Sequence, residues 1–248
     1  MKHELKALIV SDVHSNLEAF RSAIADAERR GGFDEIWSLG DLVGYGPDPV
    51  AVIELLRQHD HKAVVGNHDL AAIGKLSPEA FNPHATHAAQ WTAEQLGEDQ
   101  QQFLLNQPMK LRIDDFTLVH GSPRDPVWEY VVSTSSAVAN FAHFDTPRCL
   151  LGHSHIPFVC RPKGENSAEF LAPTHDEPLV MGTDKMIVNP GSVGQPRDGD
   201  AKASYAVYDT TQDSMTHHRA EYGIPATQDR MREFKLPDFL IDRLTYGR

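Results

Sequence analysis

Residues 5–24 read LKALIVSDVHSNLEAFRSAI, and this stretch sets the architecture. The short apolar run 5–10 has the pattern of a strand buried on both faces. Asp12 and His14 follow it at once. Ser15-Asn16-Leu17-Glu18 fits a capping box, with Ser15 as N-cap and Glu18 three residues on. Leu17, Phe20 and Ile24 then recur at helical spacing, and Gly31-Gly32 closes the helix. A second strand is predicted over 35–39. Asp48 caps and Pro49 opens the next helix, whose inner face is Val52, Ile53, Leu55 and Leu56. A third strand is predicted over 62–65. This strand–helix alternation predicts a parallel sheet covered by helices.

The pattern changes after the third strand. Residues 70–107 are rich in Ala, Gln and Glu and carry Pro78 and Pro83, which predicts two or three helices inserted beside the site. Short strands are then predicted over 111–113, 116–119, 148–151, 158–160, 169–171, 179–181, 186–188 and 204–208, with a helix within 136–144. The second half reads as a more antiparallel sheet packed on the first. Residues 222–248 read as a C-terminal extension of one or two short helices on the surface.

Composition narrows the function. A chain of 248 residues can bury a full core as one domain over 1–248. No apolar run reaches the length of a membrane span, and the apolar N-terminal stretch is too short for a signal peptide. Cys149 and Cys160 are expected to be reduced, buried thiols in a cytoplasmic protein. A net charge of −12 argues against stable binding to nucleic acid or to anionic membranes. It does not argue against a phosphate substrate, because bound divalent cations reverse the local field.

The residues with chemistry fall just past the strands. Asp12 and His14 follow Leu8-Ile9-Val10. Asp41 follows the second strand and Gly40. Asn67 and His68 follow Val64-Val65-Gly66, His120 follows Thr117-Leu118-Val119, and His153 and His155 follow Leu150-Leu151-Gly152. In an α/β sheet the carboxyl ends of strands share one crevice. In an extended segment, i and i+2 point the same way, so Asp12 and His14 face the crevice while Val13 points into the core. His153 and His155 repeat that pattern. Each piece alone has a plainer reading: Asp41 as a helix cap, His120 as a buried histidine bonded to a carbonyl. Together they supply oxygen and nitrogen donors suited to Mn, Fe, Zn, Ni or Co rather than Ca or Mg.

Asp12-Val13-His14, Gly40-Asp41, Gly66-Asn67-His68-Asp69, His120-Gly121 and Gly152-His153-Ser154-His155, in this order, resemble the calcineurin-like metallophosphoesterases. The cytoplasmic bacterial phosphodiesterase and diadenosine-tetraphosphatase-like branch is the most similar, and Asn189-Pro190-Gly191-Ser192 matches a turn of its small members. The resemblance covers about residues 5–209. It implies an α/β fold of two mixed sheets in a sandwich flanked by helices. It implies two divalent transition-metal ions, one on Asp12, His14, Asp41 and His155 and one on Asp41, Asn67, His120 and His153, with Asp41 bridging. It implies His68 as the catalytic histidine, and a metal-bridging hydroxide that attacks the phosphorus of a small mono- or diester such as a nucleotide. Gly40-Asp41-Leu42-Val43-Gly44-Tyr45-Gly46 lacks the second Asp and the Arg of the protein-phosphatase branch, which weakens a protein-phosphatase reading. A catalytically weak metal-binding scaffold or regulatory protein is the alternative from another class. Arg197, Tyr45 and Arg124 are candidate substrate contacts. Asp69 reads as a cap of the following helix or as a residue that positions the site, the cap being favoured.

Overall fold

The computed structural model describes residues 4–164 and 166–248. The alternation of the first third is present as β1 (Lys6–Val10), α1 (Leu17–Arg29), β2 (Glu35–Ser38), α2 (Pro49–Arg57) and β3 (His61–Ala63). β1 pairs parallel with β2, and β2 with β3. Two caps differ from expectation. Asn16, not Ser15, caps α1, its Oδ1 accepting from Ala19 N at 3.2 Å. Ser15 is turned into the left-handed region (φ 54°) by the loop it shares with His14, so its hydroxyl is not at the helix start. Asp48 precedes α2 without capping it, because its carboxylate is taken by Arg230.

The predicted helical insertion is α3 (Asn67–Ala72), a 3₁₀ turn (Pro78–Ala80), α4 (Pro83–Gln95) and α5 (Glu98–Leu105). There follow β4 (Lys110–Ile113), β5 (Phe116–Val119), α6 (Thr134–Phe141), β6 (Arg148–Leu150), β7 (Phe158–Pro162), β8 (Ala168–Leu171), β9 (Pro178–Val180), β10 (Met186–Asn189), β11 (Ala203–Asp209), β12 (Ser214–Ala220), α7 (Ile224–Glu233) and α8 (Asp238–Asp242). One six-stranded sheet runs β3-β2-β1-β11-β12-β9, the other β4-β5-β6-β10-β7-β8. Both are mixed. The sheets therefore do not divide the chain into halves: β11 returns to pair antiparallel with β1 and carries β12 and β9 with it. β12 went unpredicted because its sequence, SMTHHRA, is largely polar. Its polar groups have partners in the fold, with His217 Nε2 bonded to Ser204 Oγ at 2.7 Å and His218 to Asp176 at 2.6 Å.

β1 shows how the layers form. Leu8 and Val10 join the core beneath α1 and α2, while Ala7 and Ile9 join the core between the sheets, as period-2 alternation requires. The inter-sheet core centres on Trp37, Phe116 and Tyr208, with Phe116 edge-on to the other two rings at 5.3 and 4.7 Å. The C-terminal segment is not a surface appendage. Met231, Leu236, Leu240, Ile241 and Leu244 bury against Tyr45, Ala85 and Ala88, and Thr227 Oγ1 donates to Asn16 Oδ1 at 3.0 Å. Among the described residues no helix is long and apolar enough to cross a membrane.

A buried guanidinium sits under the inter-sheet core. Arg148 donates to Asp213 Oδ2 and to Gly182 O, both at 2.6 Å, and lies 5.2 Å from the Phe116 ring centroid. Removing one member of a buried pair leaves the other charge uncompensated, whereas an apolar replacement of both is far milder. Asp213 is partly exposed, so Asp213→Asn is expected to cost about 2–3 kcal/mol in urea denaturation, below the usual range for fully buried pairs. Adding Arg148→Met to that variant should restore part of the loss; a double variant less stable than the single one would refute this account of Arg148.

Candidate metal centre

The loops after β1, β2, β3, β5 and β6 meet at one end of the sheets, and each brings a donor. The two short histidine motifs are not extended, as the spacing had suggested. Asp12 (φ 52°), His14 (49°), His153 (64°) and His155 (59°) all lie in the left-handed region, and so does Asp41 (53°). Each pair reaches the same side through alternating backbone twist rather than through strand pleat. Positive φ outside glycine is uncommon and costs about 1–3 kcal/mol per residue. The loops are held there by each other: Asp12 N donates to Gly40 O at 3.0 Å, His14 N to Asp41 O at 2.9 Å, and Ser15 N to Leu42 O at 2.9 Å. Two glycines are steric necessities. A Cβ on Gly66 would stand 2.0 Å from Asp41 Oδ1, and one on Gly152 1.8 Å from Ser11 Oγ.

Four imidazoles each give their outer nitrogen to a main-chain carbonyl. His14 Nδ1 bonds Val43 O at 3.2 Å, His155 Nδ1 bonds Gln195 O at 2.6 Å, His120 Nδ1 bonds Leu39 O at 2.9 Å, and His153 Nε2 bonds Trp128 O at 3.1 Å. A carbonyl only accepts, so each outer nitrogen carries the proton. In the neutral ring the inner nitrogen is then a bare lone pair. These inner nitrogens face one another: His14 Nε2 is 3.2 Å from His155 Nε2, and His120 Nε2 is 3.1 Å from His153 Nδ1. The acceptor oxygens of Asn67 (2.9 Å from His120 Nε2) and Asp12 (Oδ1, 3.1 Å from His155 Nε2) point into the same space. Asp12 Oδ1 is fully buried and has no hydrogen-bond partner among the described residues.

Two clusters result, Asp12 with His14 and His155, and Asp41 with His120 and His153, the ligand atoms of each lying within 4.8 Å of one another. Asp41 stands at the seam. Its Oδ2 is 3.7 Å from His14 Nε2 and 3.3 Å from His120 Nε2, while its Oδ1 accepts from His68 N at 2.9 Å. Lone pairs converging on buried carboxylates repel unless a cation takes them up, so this donor set fits divalent transition metals. Burial holds His14 and His155 below their ordinary range and carries His153 to about 3, which keeps all three in the neutral, ligating form. Burial also opposes a proton on His120, but the charges of Asp41 and Asp12 outweigh it and raise this imidazole to about 9. His120 is therefore the one of the four that would have to give up a proton for a metal to bind.

The remaining candidates separate. His68, at the start of α3, stacks on Phe81 (4.5 Å, 12°) and lies against Tyr45 (4.3 Å). Its Nδ1 is buried without a partner among the described residues. Burial, aided by the charge of Arg197, outweighs Asp41 and holds His68 at about 4, so the ring is neutral. A cavity of about 460 Å³ joins His68, Asp41, Asn67, His153 and His155 to Tyr45 and Arg197. Arg124 is not among its lining residues. Arg124 pairs with Glu129, which also accepts from Ser122 and Asn140, so it braces the loop after His120 instead. Asp69 caps α3 and also binds the Asp41 loop: its carboxylate accepts from Gly66 N and Val43 N, each at 3.0 Å. Residues missed from the sequence are Phe81, Trp128 and Tyr130, which carried no ligand-type signal, and Phe239 and Arg243 from the C-terminal segment. Tyr130 stacks on His153 at 3.8 Å.

The chain belongs to the calcineurin-like phosphoesterase superfamily, whose domain model matches residues 5–213. It is 36% identical to an uncharacterised protein of Methanocaldococcus jannaschii over 97% of each chain. Its structure is similar to that of a metallophosphoesterase from Sphaerobacter thermophilus, at 45% identity and TM-score 0.89 over 99% of this chain and 100% of that one. A symmetrical bis(5'-nucleosyl)-tetraphosphatase of Glaesserella parasuis is 28% identical over 66% of this chain, a span that makes up 59% of that enzyme.

Titrating the metal-free protein with Mn or Co should give two equivalents per chain. Saturation at 100 times the dissociation constant should add about 2.7 kcal/mol of stability per site. Gly66→Ala should displace the Asp41 carboxylate and lower the stoichiometry; an unchanged two-metal isotherm in that variant would contradict the placement of Asp41.

Proposed function

We propose that this protein is a dinuclear metal-dependent phosphoesterase acting on small phosphorylated molecules, nucleotides foremost. The observation that supports it best is the convergence of four inward imidazole nitrogens with Asp12, Asp41 and Asn67 on the floor of a cleft that also holds His68. In this reading Asp12, His14, Asp41 and His155 hold one cation, and Asp41, Asn67, His120 and His153 hold the other. Two such cations would supply Lewis acidity toward a phosphate oxygen and an activated water.

The chain's own residues do the rest. The backbone carbonyls of Val43, Gln195, Leu39 and Trp128 hold the outer imidazole nitrogens, so the inner nitrogens are aimed before a cation arrives. His68 is braced between Phe81 and Tyr45 and lines the cleft, its Nδ1 buried against Gly44. A neutral imidazole there donates a hydrogen bond to a phosphate oxygen and can pass a proton to the leaving group. The cleft is narrowed by Phe81 and Asn82 of the insertion and by Phe239 of the C-terminal segment. This favours small substrates over a phosphoprotein. Aromatic walls offer faces for a nucleobase, in keeping with the similarity to nucleosyl-tetraphosphatases. The free buried thiols Cys149 and Cys160 suit a reducing, cytoplasmic setting.

Hydrolysis of p-nitrophenyl phosphate, its bis ester and dinucleoside polyphosphates, each with Mn, Fe, Zn, Ni and Co, separates monoesterase from diesterase. Absence of turnover on all of them would favour a binding scaffold. Asp41→Asn should abolish turnover and weaken both metals. His68→Ala should slow turnover about 10²–10⁴-fold with metal content unchanged; loss of metal in that variant would make His68 a ligand instead.

A further inference from the structure

The cleft holds two guanidiniums that the metal chemistry leaves unused. Arg197 comes from the loop after β10, and Arg243 from the C-terminal segment, beyond the residues matched by the family domain. Both line the cavity that contains Asp41 and His68. Arg197 donates to Gln195 Oε1 at 3.0 Å, its Nε is buried without a partner, and its guanidinium sits 6.0 Å from the Tyr45 ring centroid. No carboxylate pairs with it among the described residues. Its sequence neighbours Asp198 and Asp200 turn to Arg219 instead. Arg243 rests over Phe239 at 5.4 Å and donates to the Arg248 main-chain oxygen. Burial first, and then the positive charge of Arg197, push Arg243 down to about 10. Two like charges are thus kept within each other's field, in a chain with an excess of carboxylates.

We propose that Arg197 and Arg243 form a subsite for a second phosphate group beside the metal centre, selecting substrates with at least two phosphates over simple monophosphate esters. Guanidinium forks match phosphate oxygens in geometry. Two of them balance a phosphate dianion, whereas one carboxylate would leave a guanidinium unneutralised. Tyr45 supports Arg197 while also touching His68, so the subsite adjoins the scissile position. The inference rests on the phosphoesterase reading only in placing the first phosphate at the metals.

The test compares two probes that cannot be hydrolysed, orthophosphate and methylene bisphosphonate. Their affinities for the metal-loaded protein are measured by titration calorimetry, with metal content checked afterwards. The wild type should bind the bisphosphonate at least about tenfold more tightly. Arg197→Gln and Arg243→Gln should each shrink that ratio several-fold, and Arg243→Lys, which keeps the charge but not the fork, should fall between. Thermal melts confirm that each variant folds. An equal loss for both probes would reduce the arginines to a general field, and an unchanged ratio would remove the subsite; either result overturns the proposal. If the wild type shows the preference yet hydrolyses no phosphate ester, the phosphoesterase reading fails and the subsite stands.

Discussion

Everything in this molecule turns on a repulsion. Three neutral imidazoles point unprotonated nitrogens into a space shared with two buried carboxylates and with a fourth ring, His120, whose extra proton those carboxylates hold. A hydrophobic core has no reason to gather such groups, and without a cation they lose solvation and gain nothing. The surroundings are arranged to hold them all the same. Main-chain carbonyls from three separate loops hold the outer imidazole nitrogens, Asp69 ties the Asp41 loop to α3, and Ser11 Oγ and His153 N together hold Asp12 Oδ2 at 2.6 and 3.0 Å. The free energy of cation binding is what offsets this cost.

The fold supplies rigidity at the point where strain collects. Left-handed ligand residues persist only where the neighbouring structure over-determines them. Here the neighbours are strands ending two to five residues earlier, whose side chains lock into the cores above and below the sheet. Gly66 and Gly152 let two loops approach closer than any side chain permits. The C-terminal segment then closes one flank, packing α7 and α8 against Tyr45 and α4 and bringing Arg243 to the cleft. The centre is thus built by loops at the ends of five β-strands, and the cleft around it by the insertion and the C-terminal segment.

Much of this was legible in the sequence because the relevant signals are local. Apolar runs followed at once by Asp, Asn or His announce both a strand and what stands at its end, and β1 through β3 with their helices followed from periodicity alone. The donors of the two clusters were named from position. What failed was non-local or conformational. Nothing in ASYAVYD says that β11 returns to β1, and SMTHHRA hides β12 because its polar groups find partners only in the folded chain. The i, i+2 rule gave the right side for Asp12 and His14 by the wrong backbone. Arg124 lay near a ligand in sequence yet pairs with Glu129, while Arg243, far away in sequence, faces the site. Proximity along the chain does not say where a long side chain points.

The central claim is that these donors hold two cations with Asp41 between them. Anomalous X-ray diffraction from crystals loaded with Mn or Co tests it most directly. The account predicts two peaks about 3.5–4 Å apart, one against Asp12, His14 and His155, the other against Asn67, His120 and His153, with the Asp41 carboxylate bridging. A single peak, or metal bound away from Asp41, would contradict it.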